Sequence, residues 1–219
     1  MYLKMLAQRL TLLSALLGFV SAGISVGHCP HVSAVHVGET NFAGRWYEIR
    51  RVKPEDEGGE TCNFEEYNFR KDVNGWSLRI NSTGYTGEEW RSSIVDARQY
   101  IYARHSAQGY FVLGNQKAGL PRSEKPNFFV LHADDNFSLA YFCQGFGSLK
   151  MDLAWIMSRE RFPDPEEVNE VQKKLRHNGV FLEMTDVDQE DCPATEGMGM
   201  KNLMMQFLRY SQGDADWRY

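Results

Sequence analysis

The chain has 219 residues, the size of one ordinary domain, with 42% hydrophobic, 24% charged and 13% aromatic residues and a formal net charge of −5. The aromatic content excludes a disordered chain, and the acidic balance lacks the basic footprint of a nucleic-acid binder. No repeat, heptad array or low-complexity tract is visible, which excludes solenoid and fibrous classes.

Residues 1–22 read as a signal peptide. Lys4 and Arg9 make the positive start, Leu10 to Val20 is an apolar run, and Val20-Ser21-Ala22 ends it with small residues. The run is too short for a membrane span. The mature chain then begins near Gly23 and is secreted. The four cysteines, Cys29, Cys62, Cys143 and Cys192, agree with export, because an even number in a secreted chain implies two disulfides. Three pairings are open at this point. None of the four sits in a Cys-x-x-Cys pair, so zinc and thioredoxin-type redox sites have no support. His28, His31 and His36 cluster near the mature N-terminus, and a solvated arm is expected there rather than a metal site. Two glycosylation sequons follow, at Asn81 and Asn136.

From Gly44 to Arg159 short runs rich in Val, Ile, Tyr, Phe and Trp alternate with turn residues. They predict strands over 44–51, 63–70, 76–83, 90–97, 99–103, 110–114, 127–133, 138–144 and 153–159. Asn74-Gly75 suits a hairpin turn after Lys71. No crossover helices separate the strands, so a parallel α/β sheet is excluded. Asp164 to Glu167 opens a single helix over 165–178, with Val168, Val171 and Leu175 on one face and Asn178-Gly179 at its end. The pattern predicts an all-β domain with one C-terminal helix and leaves sandwich and barrel both open.

Three stretches carry a family resemblance. Gly44-Arg45-Trp46-Tyr47-Glu48 resembles the Gly-x-Trp-Tyr-Glu signature of lipocalins. Leu153 to Arg159 resembles the closing motif of that family, an arginine after an apolar strand. Phe128 to Leu131 followed by Ser138 to Cys143 resembles its middle pair of strands. The set spans Cys29 to Pro193, and the apolipoprotein D subgroup is the best match within the family. The resemblance implies an eight-stranded antiparallel up-and-down barrel with the helix packed outside. It pairs Cys29 with Cys143 and Cys62 with Cys192. It places Trp46 at the closed end, Arg159 over its indole, and Gly44 where the chain passes close by.

Binding of a small hydrophobic ligand is the function the resemblance implies, with no cofactor, no metal and no catalytic residue. Fatty acids, steroids, retinoids, carotenoids and bilins are the classes in view. If Arg159 faces inward, a period of two puts Met157, Trp155 and Leu153 on the same face. Trp155 and Tyr67 match pocket residues of the subgroup, and Tyr141 is a further candidate. Two departures stand out. The middle motif is altered at His132 to Phe137, and residue 145 is glycine where the subgroup has an extra cysteine, so an intermolecular disulfide is not expected. The alternatives are a lipocalin-fold enzyme acting on a lipid, which needs a free pocket thiol, and a protein-interaction role through the loops. The extension 194–219 is rich in Met and suits membrane or protein contact, although packing on the barrel or disorder is the weightier expectation.

Overall fold

A computed structural model describes residues 24–52, 59–72, 75–100, 109–113 and 125–195. Residues 1–23 (the expected signal peptide among them), the extension beyond Thr195 and most of the segment from Gln116 to Pro126 lie outside the described residues. Eight strands form the body: β2 (Gly44–Arg51), β3 (Thr61–Asp72), β4 (Gly75–Tyr85), β5 (Trp90–Gln99), β6 (Tyr110–Leu113), β7 (Phe128–Ala133), β8 (Phe137–Phe146) and β9 (Leu149–Ser158). Each pairs antiparallel with the next, and β9 pairs back onto β2, so the sheet closes into an up-and-down barrel. Two short strands extend the ring. β1 (Ile24–Val26) lies along the start of β9, and β10 (Thr185–Asp186) along the end of β2. The expected strand over 90–97 is β5, which runs on to Gln99, and most of the expected segment 99–103 lies outside the described residues.

Alternation along each strand divides the side chains between an inner and an outer cluster. On β9, Met151, Leu153, Trp155 and Met157 join the inner one with Phe42, Trp46, Tyr67, Phe111, Phe128 and Phe142. The intervening Ala154 and Ile156 join the outer one. There α1 (Pro165–His177) covers the barrel with Val168, Val171 and Leu175, all buried. Asp164 caps this helix by accepting from Glu166 N at 2.8 Å, with Pro165 in its first turn, and Gly179 ends it at φ +71°. A register shift between Glu48 and Arg50 breaks the alternation of β2. Glu48 sits opposite Met157, yet Arg51, three residues on, sits opposite Trp155 on the same inner face. A bulge has this effect, since one extra residue reverses which side chains point in.

The closed end rests on Trp46. Its indole is fully buried and donates to Phe42 O at 2.9 Å. The Arg159 guanidinium lies 3.6 Å from the ring centroid and donates to Arg45 O at 2.6 Å and Ala43 O at 2.8 Å. Both carbonyls flank Gly44, whose φ of +92° suits glycine. Disulfides tie both ends of the chain to the ring, Cys29 to Cys143 on β8 and Cys62 on β3 to Cys192. Their loops span 114 and 130 residues, and closing loops of this length in the unfolded chain stabilises by about 5 kcal/mol each in the chain-entropy picture. Arg159→Ala removes the cation–π contact and both carbonyl bonds, and is expected to lower the unfolding free energy by about 2–4 kcal/mol in a urea titration.

Candidate functional site

The barrel interior is two-sided. Strands β6 to β9 contribute an apolar wall of Phe111, Phe128, Phe142, Leu153 and Trp155. The Phe128 and Trp155 rings stand 6.4 Å apart, tilted by 45°. At the bottom Tyr67 stacks on Phe42 with centroids 4.5 Å apart, one pleat from the Trp46 floor. Such a surface binds by removing apolar area from water, roughly 25 cal/mol per Å².

The opposite side is polar. Glu65 faces Trp46 across the β2–β3 ladder and Ser82 across the β3–β4 ladder, which places it inside the ring. Its carboxyl is buried and accepts from Ser82 Oγ at 3.3 Å and from the Tyr67 hydroxyl. Burial pushes the Glu65 pKa up, against the pull of those two hydrogen bonds. Burial also raises the Tyr67 phenol well above its ordinary value, helped by the charges of Glu65 and Glu48. Arg51 Nη1 and Glu48 Oε1 stand 3.6 Å apart, both buried, on the face shared with Met157 and Trp155. Asn63 completes the group nearer the β4–β5 end. Its Nδ2 lies over Gly84, 2.5 Å from where an added Cβ would stand, so the glycine leaves the side chain room to lie there. Asn63 Oδ1 is buried with no hydrogen-bond partner among the described residues.

The structure brings Tyr67, Leu153, Trp155 and Met157 together in the inner cluster. Tyr141 lies on the other side of the sheet. It stacks on Phe129 under the helix-covered surface and donates to Asp152 Oδ2 at 3.3 Å, beside Lys150. Burial pushes its phenol pKa up, with Asp152 adding to the shift. The polar group of Glu48, Arg51, Asn63, Glu65 and Ser82 is absent from the sequence expectations. Strand parity could have found Glu65, two residues before Tyr67 on one strand, whereas a register shift between Thr61 and Phe64 interrupts the ladder at Asn63, whose position is given by its approach to Gly84. Elsewhere, the altered middle corner is a self-contained turn: Asp134 accepts from the Asn136 and Phe137 amides and meets His132 at 2.7 Å. His28, His31 and His36 are exposed, and no metal-holding group of His, Cys, Asp and Glu occurs among the described residues.

No family model matches the chain. Apolipoprotein D of Oryctolagus cuniculus is 28% identical over 198 residues, covering 84% of this chain and 96% of that protein. Apolipoprotein D of Cavia porcellus is 29% identical over the same length and shares of both chains. Among solved structures, lobster apocrustacyanin A1 superposes with a TM-score of 0.58 at 15% identity, over 79% of this chain and 94% of that one. Insecticyanin from Manduca sexta gives 0.58 at 21% identity, over 77% and 89%. The chain has the lipocalin fold and resembles apolipoprotein D.

In this lipocalin barrel the Gly-x-Trp-Tyr-Glu stretch has two roles. Trp46 seals the floor, and Glu48, one pleat above it, belongs to the polar side of the interior. The raised Glu65 pKa makes a stability prediction. The folded chain holds this proton to higher pH than the unfolded chain, so more protons are bound in the folded state between the two values. Stability from this group therefore falls as pH rises from the unfolded carboxylate range, about 4.3, and levels off above the raised folded value. Glu65→Gln removes the proton. Its stability relative to the parent is expected to grow across that window and then stay constant, as read from urea midpoints at stepped pH.

Proposed function

We propose that this protein is a secreted carrier of a small hydrophobic molecule held inside the barrel. One observation carries the reading: a floor sealed by Trp46 and Arg159 beneath an inward-facing aromatic wall, with Trp155, Phe128 and Phe142 on one side and Tyr67 at the bottom. Met157 and Leu153 complete the lining of this proposed pocket, and Tyr141 has no place in it. Fatty acids, steroids, retinoids, carotenoids and bilins are the ligand classes the shape and apolar wall admit. The likeness to apolipoprotein D supports carriage over catalysis. All four cysteines are closed in disulfides, which leaves no thiolate to act as a nucleophile. The same disulfides support the signal-peptide reading of residues 1–22, because such bonds persist in oxidising compartments.

Protein secreted from eukaryotic cells is expected to carry an apolar molecule at close to one per chain in native mass spectrometry. Trp155→Ala should bind that molecule about tenfold more weakly by calorimetric titration, the loss of one aromatic contact of roughly 1–1.5 kcal/mol. Unchanged affinity would remove Trp155 from the pocket.

Export would also expose the two sequons to glycosylation. Asn136 is exposed in the β7–β8 turn, whereas Asn81 is half-buried within β4 with its Oδ1 covered. Asn136→Gln is therefore expected to abolish a glycan mass that Asn81→Gln leaves in place, read from intact mass.

A further inference from the structure

The polar side of the interior has a definite hydrogen-bonding character. Glu48 and Arg51 compensate each other at 3.6 Å. Among the described side chains at that level of the barrel, Arg51 is the cation, and Glu48 already holds it. Glu65, one pleat above Tyr67 on β3, brings a second carboxyl group, supported by hydroxyl donors and no cation. Asn63, one pleat further, is 6% exposed and presents a buried carbonyl oxygen that nothing in the described structure satisfies. A buried acceptor without a donor is costly, so a ligand that donates there supplies what the described side chains do not. A ligand carboxylate gains nothing comparable. It would lose its hydration, find no unclaimed cation among the described inward-facing residues, and approach two acidic side chains.

We propose that the barrel selects an apolar ligand with an uncharged hydrogen-bond-donating end, an alcohol or a primary amide. Asn63 and Glu65 accept from that end, and the aromatic wall of β6 to β9 holds the apolar body. Free carboxylates are disfavoured. This rests on the carriage reading above and sharpens it to a class of head group.

The test holds the chain constant and varies the head. Hexadecanol, hexadecanamide and palmitate compete for a fluorescent apolar probe on the full disulfide-bonded protein at pH 7.5. The alcohol and the amide are expected to bind at least tenfold more tightly than palmitate. Asn63→Leu should weaken the alcohol and the amide several-fold and leave palmitate unchanged. Glu65→Gln should strengthen palmitate and narrow the gap. Circular dichroism melts confirm that both variants are folded, and the head-group order within each variant is read independently of its stability. Palmitate binding as tightly as the alcohol to the parent protein overturns the proposal and leaves carriage standing. So does an affinity gap that stays unchanged in both variants. Failure of all three ligands to bind overturns the carriage reading, and this inference with it.

Discussion

Closure of the sheet between β2 and β9 is the constraint on which the molecule depends. An open sheet of these strands would have two edges and two faces to cover. Joining Tyr47 to Ser158 and Arg51 to Trp155 removes the edges and turns one face into an interior. That same junction sets Trp46 beside Arg159 and makes the floor. The residues kept in the proposed pocket lie on the face that closure encloses, and Tyr141 and the residues under the helix lie on the face it excludes.

The enclosed face is not uniformly apolar, and its asymmetry follows the chain. The first three barrel strands bring Glu48, Arg51, Asn63, Glu65 and Ser82 inward, and the last four bring the phenylalanines and Trp155. The inward face therefore offers unlike walls to the two ends of the ligand proposed above. Burying charged and polar groups in this place lowers stability unless each is paired. Glu48 with Arg51, and Glu65 with Tyr67 and Ser82, achieve this with local partners. Asn63 Oδ1 has no hydrogen-bond partner among the described residues, and the proposed ligand head group would supply one.

The outer face shows how a lipocalin barrel of this size holds its ends. Both disulfides join segments more than a hundred residues apart, and both fasten a terminal arm to a strand. The helix then covers β7, β8 and β9 with only three buried residues, Val168, Val171 and Leu175. Tyr141 belongs to this layer, stacked on Phe129 with its hydroxyl on Asp152.

Much of this was legible from sequence. Composition and turn chemistry identified a β domain, and β2 appears over the same residues in both readings. The helix carries its own start and stop signals, Asp164-Pro165 and Asn178-Gly179, so its ends needed no tertiary information. Parity from Arg159 grouped Met157, Trp155 and Leu153 because β9 alternates regularly. Two things lay beyond such reasoning. Strand β8 is buried on both faces over its first seven residues, since the helix covers its outside, and a strand without alternation cannot say which way Tyr141 points. On β2 the bulge after Glu48 turns Arg51 inward and sends Arg50 out to Asp186 and the helix. Local sequence determined which segments extend or coil, because those preferences are set within a few residues. Which face of each strand became the interior was decided by closure and by what packed outside, which are properties of the whole ring.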